Sequence, residues 1–294
     1  MRIATSQLYD RPTTLMARLT AQADAAQTSI STEKKYATPS ANAGAYLQLQ
    51  GLKRATADDK AYAANVDLAR SLLEQTDSVL DHVESQLQRV QELTTQAATG
   101  TLSDANRTAI ATELDSIRDE LFALANTKDV RGAPLFGGAT GDAAYARAAD
   151  GTIGFAGTGE PSPIPVAEGD QVEATVPGSR IFGDMFAMIG DLSAALQAGG
   201  DVSAATDTAL TAVKARLDTV GTGRASAGAR AARLELEADR LSELGNDREA
   251  TRASIEDTDI ASAVTELQKT LTVLQATQAS FTKLTSLSLF DYLR

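Results

Sequence analysis

The chain of 294 residues has no cysteine, no tryptophan and a single histidine, His82. Without thiols there are no disulfides and no thiolate metal sites. The one imidazole lies between the apolar positions Leu80 and Val83 and reads as a flank residue. Beyond it, no Ser-His or Cys-His nucleophile system can be built. Positive charge is in deficit: 27 Lys and Arg against 39 Asp and Glu leave a net charge of −12, with a pI of 4.6. That excludes the basic stripe of a nucleic-acid binder. The charge is spread along helices and reads as solvated faces. No apolar run reaches the roughly 18 residues of a membrane span. Residues 1–8 lack the apolar core of a secretory signal, so composition alone reads as cytoplasmic. P-loop, HExxH and EF-hand patterns are missing. These absences describe a chain that is not an enzyme. It has no catalytic residue, no cofactor, no metal site, and neither a nucleic-acid nor a membrane partner.

Ala, Thr, Leu and Gln are abundant, which favours helices packed through small side chains. The clearest stretch is the last 41 residues, from Ser254 to Arg294, which contain neither Pro nor Gly. Apolar residues recur there at Ile260, Val264, Leu267, Leu271, Leu274, Phe281 and Leu284, with the three–four alternation of a helix bearing one apolar seam. Gln278 and Thr285 interrupt the seam, and Leu287, Leu289, Phe290 and Leu293 make the tail more apolar still. About a dozen such side chains contribute roughly 1.5–3 kcal/mol each on burial. Ordering the backbone costs about 1–2 kcal/mol per residue, and helix hydrogen bonds replace ones that water already made. This segment therefore needs partner helices, from the same chain or from neighbouring copies.

Upstream, residues 6–35 read as a helix with Leu8, Leu15, Leu19, Ala26 and Ile30 near one face. Asp10 and Pro12 are candidates for its true start, and Thr38-Pro39-Ser40 ends it. Residues 41–59 read as helix mixed with turns. A long seam follows at Val66, Ala69, Leu73, Thr76, Leu80, Val83, Leu87, Val90, Thr94 and Ala97, long enough for a coiled-coil rod. Gly100 stops it, Ser103 is the predicted N-cap of the next helix, and Ile110, Leu114, Ile117, Leu121 and Leu124 continue the hairpin.

Residues 132–178 hold ten of the 21 Gly and five of the seven Pro. The short runs at 152–155 and 171–176 predict a small β-rich insert, with an extended loop as the alternative. Helices are predicted again over 181–197 and 203–246, with Gly221, Gly223 and Gly228 as weak points. Gly221-Thr222-Gly223-Arg224 reads as a kink or a tight helix contact. The acids Glu256, Asp257 and Asp259 resemble a metal cluster, but Ser254 with Asp257 reads more simply as a capping box opening the last helix.

Several segments resemble the bacterial flagellin superfamily, and most closely its hook-associated protein 3 branch. These are the opening Met1-Arg2-Ile3-Ala4-Thr5-Ser6; Leu87-Gln88-Arg89-Val90-Gln91-Glu92-Leu93; Gly100 to Asp104 with Arg107 and Ile110; Leu124 to Asp129 with Leu135-Phe136-Gly137-Gly138; Ser254 to Ala261; and the ending Ser286 to Leu293. The turn after the first helix departs from the family's usual GKRINSPSDDP, reading Glu33-Lys34-Lys35-Tyr36-Ala37-Thr38-Pro39-Ser40-Ala41-Asn42-Ala43 here. Both acids and the second Pro are missing.

The resemblance implies a mainly α, elongated flagellin-like helical rod with coiled-coil terminal helices and a small β-rich insert. It divides the chain into a terminal assembly domain (1–45 with 255–294), a helical rod domain (46–135 with 180–254) and an outer insert (136–179). It implies a structural protein of the bacterial flagellum, located outside the cell after type III export, that joins hook to filament by forming a ring. The implied partners are copies of itself, a neighbouring hook-associated protein on the hook side, flagellin on the filament side, and a cytoplasmic export chaperone at the C-terminal region. The implied assembly residues are Ile3, Leu8, Leu15, Leu19, Ile30, Ile260, Val264, Leu267, Leu271, Leu274, Phe281, Leu284, Leu287 and Phe290. The implied rod contacts between subunits are Leu87, Arg89, Val90 and Leu93. The competing readings are a filament-forming flagellin and, in a different class, a cytoplasmic coiled-coil adaptor.

Overall fold

The structure, a computed structural model, describes residues 2–36, 38–99, 102–139 and 141–292, with backbone alone for 2–9 and 284–292. In chain order the elements are α1 (Arg2–Thr32), α2 (Ala43–Ala97), α3 (Asp104–Ala125), β1 (Tyr145–Arg147), β2 (Ile153–Phe155), β3 (Ile164–Ala167), β4 (Asp170–Val172), α4 (Gly178–Ile181), α5 (Met185–Ala198), α6 (Ser203–Glu256) and α7 (Ile260–Tyr292). The chain divides into two compact units, Met1–Asp58 with Leu244–Arg294 and Asp59–Glu243. The fold is mainly α with a small β-rich insert, as expected.

The second unit is organised by heptads. On α2, Val66, Leu73, Leu80 and Leu87 recur every seven residues, as do Ala69, Thr76, Val83, Val90 and Ala97, and all are buried. Thr76 and Thr94 fit this apolar seam because their hydroxyls donate back to Leu72 O and Val90 O, at 2.7 and 2.6 Å. On α6, Thr206, Val213, Val220, Ala227, Leu234 and Leu241 keep the same strict period and are buried too. A seven-residue repeat sets two helices side by side over a long contact. Near its middle, Arg224 of α6 reaches Asp77, Asp81 and Glu84 of α2 at 3.1, 2.8 and 2.7 Å. The glycines of α6 do not interrupt it. A methyl at Gly223 would meet Ile181 Cδ1 at 3.0 Å and Leu80 Cδ1 at 3.5 Å, so this residue admits a tight helix contact.

Ser103 caps α3 as predicted, accepting from Asn106 N at 3.3 Å. Gly100, read as the stop of α2, lies outside the described residues. The side of α3 formed by Ile110, Leu114, Ile117 and Leu121 is buried. It packs with α5, which buries Phe186, Ile189, Leu192 and Leu196. Residues 41–59 form no turns beyond Asn42, which starts α2 by accepting from Ala45 N at 3.0 Å. Likewise α1 runs through Pro12 and ends at Thr32. The Thr13 and Thr14 hydroxyls donate to Asp10 O beside the proline.

The insert consists of two antiparallel hairpins, β1–β2 and β3–β4. Its apolar side chains join the helical core. Tyr145 meets Phe155, Phe182 and Phe186 edge-on, with ring centroids 5.0–5.6 Å apart. Burial pushes the Tyr145 hydroxyl up to about 12. The hairpin β3–β4 is strapped to α6 by Arg233–Asp170 and by Arg230 donating to Glu173 O at 2.7 Å.

Asn126, the C-cap of α3, ties helix to insert. Its side chain accepts from Tyr145 N at 2.9 Å and donates to Tyr145 O at 3.1 Å, standing in for a neighbouring strand. Asn126→Ala should therefore leave a buried strand edge unpaired and destabilise the second unit by about 1–3 kcal/mol per orphaned group. The check is a fall in the urea midpoint with an unchanged slope.

Candidate assembly interface

The two terminal helices meet. α1 packs along α7 in antiparallel fashion, joined at the base by an antiparallel bridge between Lys34 and Asp257. The covered positions form one row on each helix. On α1 these are Pro12, Met16, Leu19, Ala23, Ala26 and Ile30; on α7 they are Ala263, Leu267, Thr270, Leu274, Thr277 and Phe281. Both rows step by four and three, as knobs-into-holes packing requires. Pro12, Leu15, Thr277 and Phe281 line a shallow groove where the two rows approach.

The row is narrower than the apolar surface it sits in. Leu15 is 43% exposed, Ile260 45%, Leu271 41% and Val273 43%. Among the described residues of this unit, the buried apolar side chains are Leu19, Ala23 and Ala45. Ile260 and Leu271, eleven residues apart, share one side of α7, while Val273 flanks the row on the other. One partner helix covers the middle of this apolar arc and leaves both margins bare.

Of the residues expected to assemble, Leu19 is buried, and Ile30, Val264, Leu267, Leu274 and Phe281 are half-buried against the neighbouring helix. Leu15, Ile260 and Leu271 stand outside the covered row. Ile3, Leu8, Leu284, Leu287 and Phe290 lie outside the residues whose side chains are described. Met16, Ala23, Thr270 and Thr277, missed in sequence, complete the row. Their signal is the four–three alternation of small and hydroxyl residues; Thr277 behaves as a valine because its hydroxyl donates to Val273 O at 2.7 Å.

The expected rod contacts resolve differently. Leu87, Val90 and Leu93 are 0%, 0% and 1% exposed in the core of the second unit, so they have no surface to offer a neighbour. Their motif marks the heptad seam. Arg89 alone of the four is at the surface, where it holds Glu92 and Glu113, each at 2.8 Å.

The base of the terminal pair is built from short connectors. Lys35 N donates to Glu256 O at 2.7 Å, and Thr258 N donates to Glu33 O at 2.9 Å. The Glu256 carboxylate is gripped by Lys34 at 2.6 Å and Arg252 at 2.5 Å, and these partners, Lys34 first, hold it below the ordinary carboxylate range. The predicted capping box at Ser254 does not form, because α6 continues to Glu256 and the Ser254 hydroxyl donates to Thr251 O. Asp259 caps α7 instead, accepting from Ala261 N and Ser262 N at 3.0 and 3.2 Å. Glu33 ends α1 in the left-handed region, with φ of 58°, a position that favours glycine. Among the described residues no acid or histidine group is placed to hold a metal ion, and no helix is long and apolar enough to cross a membrane.

Residues 3–140 match the bacterial flagellin N-terminal helical region, and residues 210–293 match the bacterial flagellin C-terminal helical region. The flagellar hook-associated protein 3 of Salmonella typhimurium is 28% identical, over 99% of this chain and 99% of that protein. The protein of the same name from Escherichia coli is 29% identical, over 89% and 90%. Among solved structures, FlgL of Xanthomonas campestris superposes with a TM-score of 0.59 at 19% identity, covering 69% of this chain and 99% of that one. The flagellar hook-associated protein-3 of Legionella pneumophila gives 0.66 at 15% identity, covering 71% and 99%.

Two outcomes follow at the base of the pair. Glu33→Gly should be neutral to stabilising, by up to about 1 kcal/mol, because relief of the left-handed strain outweighs the added freedom of the unfolded chain; thermal unfolding measures it. Glu256 has a lowered folded pKa, so its contribution is complete above its ordinary value of 4.5 and is lost as pH falls through the folded value. Amide exchange at Lys35 and Thr258 should be slower in wild type than in Glu256→Gln at neutral pH, and the difference should close in acid.

Proposed function

This chain belongs to the bacterial flagellin family and is a structural component of the flagellum, and from that premise we propose that it joins hook to filament by assembling as a ring of copies. The observation that carries the proposal is the apolar margin of the α1–α7 pair. Leu15, Ile260, Leu271 and Val273 are left open by the one helix each end has found, and their sequence relatives over nearly the whole length are named hook-associated protein 3.

Neighbouring copies would supply the missing helices. Each of these side chains is already more than half covered, so completing its burial adds roughly 1 kcal/mol, and ordering and binding then occur together. In this reading residues 1–45 with 255–294 form the assembly surface, 46–135 with 180–254 the helical body, and 136–179 the outer surface. The neighbours are a hook-associated protein on the hook side and flagellin on the filament side. A chaperone covers the apolar C-terminal region in the cytoplasm before type III export carries the chain to the flagellum.

Deleting the protein from its cell should release filament subunits into the medium while no filament is retained, and Leu271→Asp should fail to restore it although the soluble protein stays folded. A retained filament would exclude the junction role. Long filaments formed by the purified protein alone would assign it to filament flagellins.

A further inference from the structure

Outside α1 and α7, the large apolar side chains left exposed among the described residues are Tyr46, Leu47, Val130 and Leu236. Leu47 is 69% exposed near the start of α2, and Leu236 is 71% exposed on α6. Each belongs to a row that faces water and repeats every seven residues. On α2 the row is Leu47, Arg54 and Ala61; on α6 it is Leu236, Glu243 and Ala250, and all six are exposed. Neither Arg54 nor Glu243 has an ion pair among the described residues. Seven residues of helix advance about 10.5 Å and return to nearly the same face, so the two rows have equal spacing. Laid antiparallel they are complementary: Leu47 falls on Ala250, Arg54 on Glu243 and Ala61 on Leu236. The same alignment sets Lys60 near Asp239 and Asp58 near Arg240, all of them exposed. Laid parallel, the rows would crowd leucine on leucine and leave alanine facing alanine.

We infer that these rows are a contact between copies of the chain, the outer face of α2 on one copy meeting the outer face of α6 on the next. Charge selects the occupant. Residues 1–60 hold eight Lys and Arg against five Asp and Glu, within chain totals of 27 against 39. The section that carries Arg54 is therefore the positive part of an acidic protein, and a second copy offers it an acidic row of matching spacing. Direction agrees with this. Within the second unit, Arg224 of α6 sits at Asp77 and Glu84, while Arg240 lies in the field of Asp59, so α6 runs back along α2. Copies standing the same way up then present α6 antiparallel to a neighbour's α2. Because the two rows differ, the contact is head-to-tail and passes from copy to copy. It rests on the reading that copies assemble, and it adds to the terminal helices a second contact on the helical body.

The absence of cysteine lets the contact be trapped without background. Arg54→Cys and Glu243→Cys, two full-length variants made together in cells lacking the native protein, should give a cross-linked dimer when isolated flagella are treated with a short bismaleimide. Either variant alone should give none, since position 54 meets position 243 and not itself. Arg54→Glu and Glu243→Arg should each lower the amount of the protein held in flagella about tenfold. Combined in one chain they should restore it, because every copy then carries both reversed charges. Circular dichroism of the purified variants should match wild type, as the positions are exposed. No dimer from the mixed variants, an equal yield from one variant alone, or no recovery in the doubly reversed chain would overturn the contact. Dimers and recovery in cells whose filaments persist without the protein would support the contact while removing the junction role.

Discussion

A helix with apolar side chains around more than one face cannot be completed by one partner. That constraint governs the terminal half of this protein. α7 places Ala263, Leu267, Thr270, Leu274, Thr277 and Phe281 under α1, and still leaves Ile260, Leu271 and Val273 in water. The second unit obeys the opposite rule. There the seam of α2 is covered, and Val66, Val83, Leu87 and Val90 have no exposed surface at all. The same periodic chemistry thus gives a finished core in one unit and an open surface in the other, and the difference lies in how many helices are available to cover each seam.

Charge works alongside this division. Arg224 between Asp77, Asp81 and Glu84, and Arg89 between Glu92 and Glu113, pair helix surfaces whose interiors are already dry. Such exposed pairs add little energy individually, and their value is in setting register between long, repetitive helices that would otherwise slide by a heptad. At the base of the terminal pair, Glu256 is more enclosed and joins two connectors where no hydrophobic core is available. Flagellar relatives share the helical regions at both ends.

Helix periodicity, the Ser103 cap and the change of texture at the insert were legible in sequence because each depends on residues within a turn or two of one another. The seam of α6 was not. Thr206, Ala209 and Ala227 contrast weakly with their neighbours, and Gly221, Gly223 and Gly228 carry low helix propensity, so the stretch read as a long helix with weak points and no seam. Contact with Leu80 and Ile181 overrides that propensity, since at Gly223 even a methyl would press on Ile181 Cδ1 at 3.0 Å. Asn126 was visible as part of a motif, but its role as a substitute strand exists only once β1 folds beside it.

Sequence alone determined that this chain is helical and carries apolar seams at both ends, because composition and period are properties of the order of residues. Tertiary structure decided which positions of each seam are covered. Leu87, Val90 and Leu93 were turned inward and Leu15 and Leu271 outward, and Asp259 rather than Ser254 caps α7 because the clamp at Glu256 holds α6 intact to that point. A repeat states that residues share a stripe; only the number and direction of the helices packed against it state which of them water still reaches.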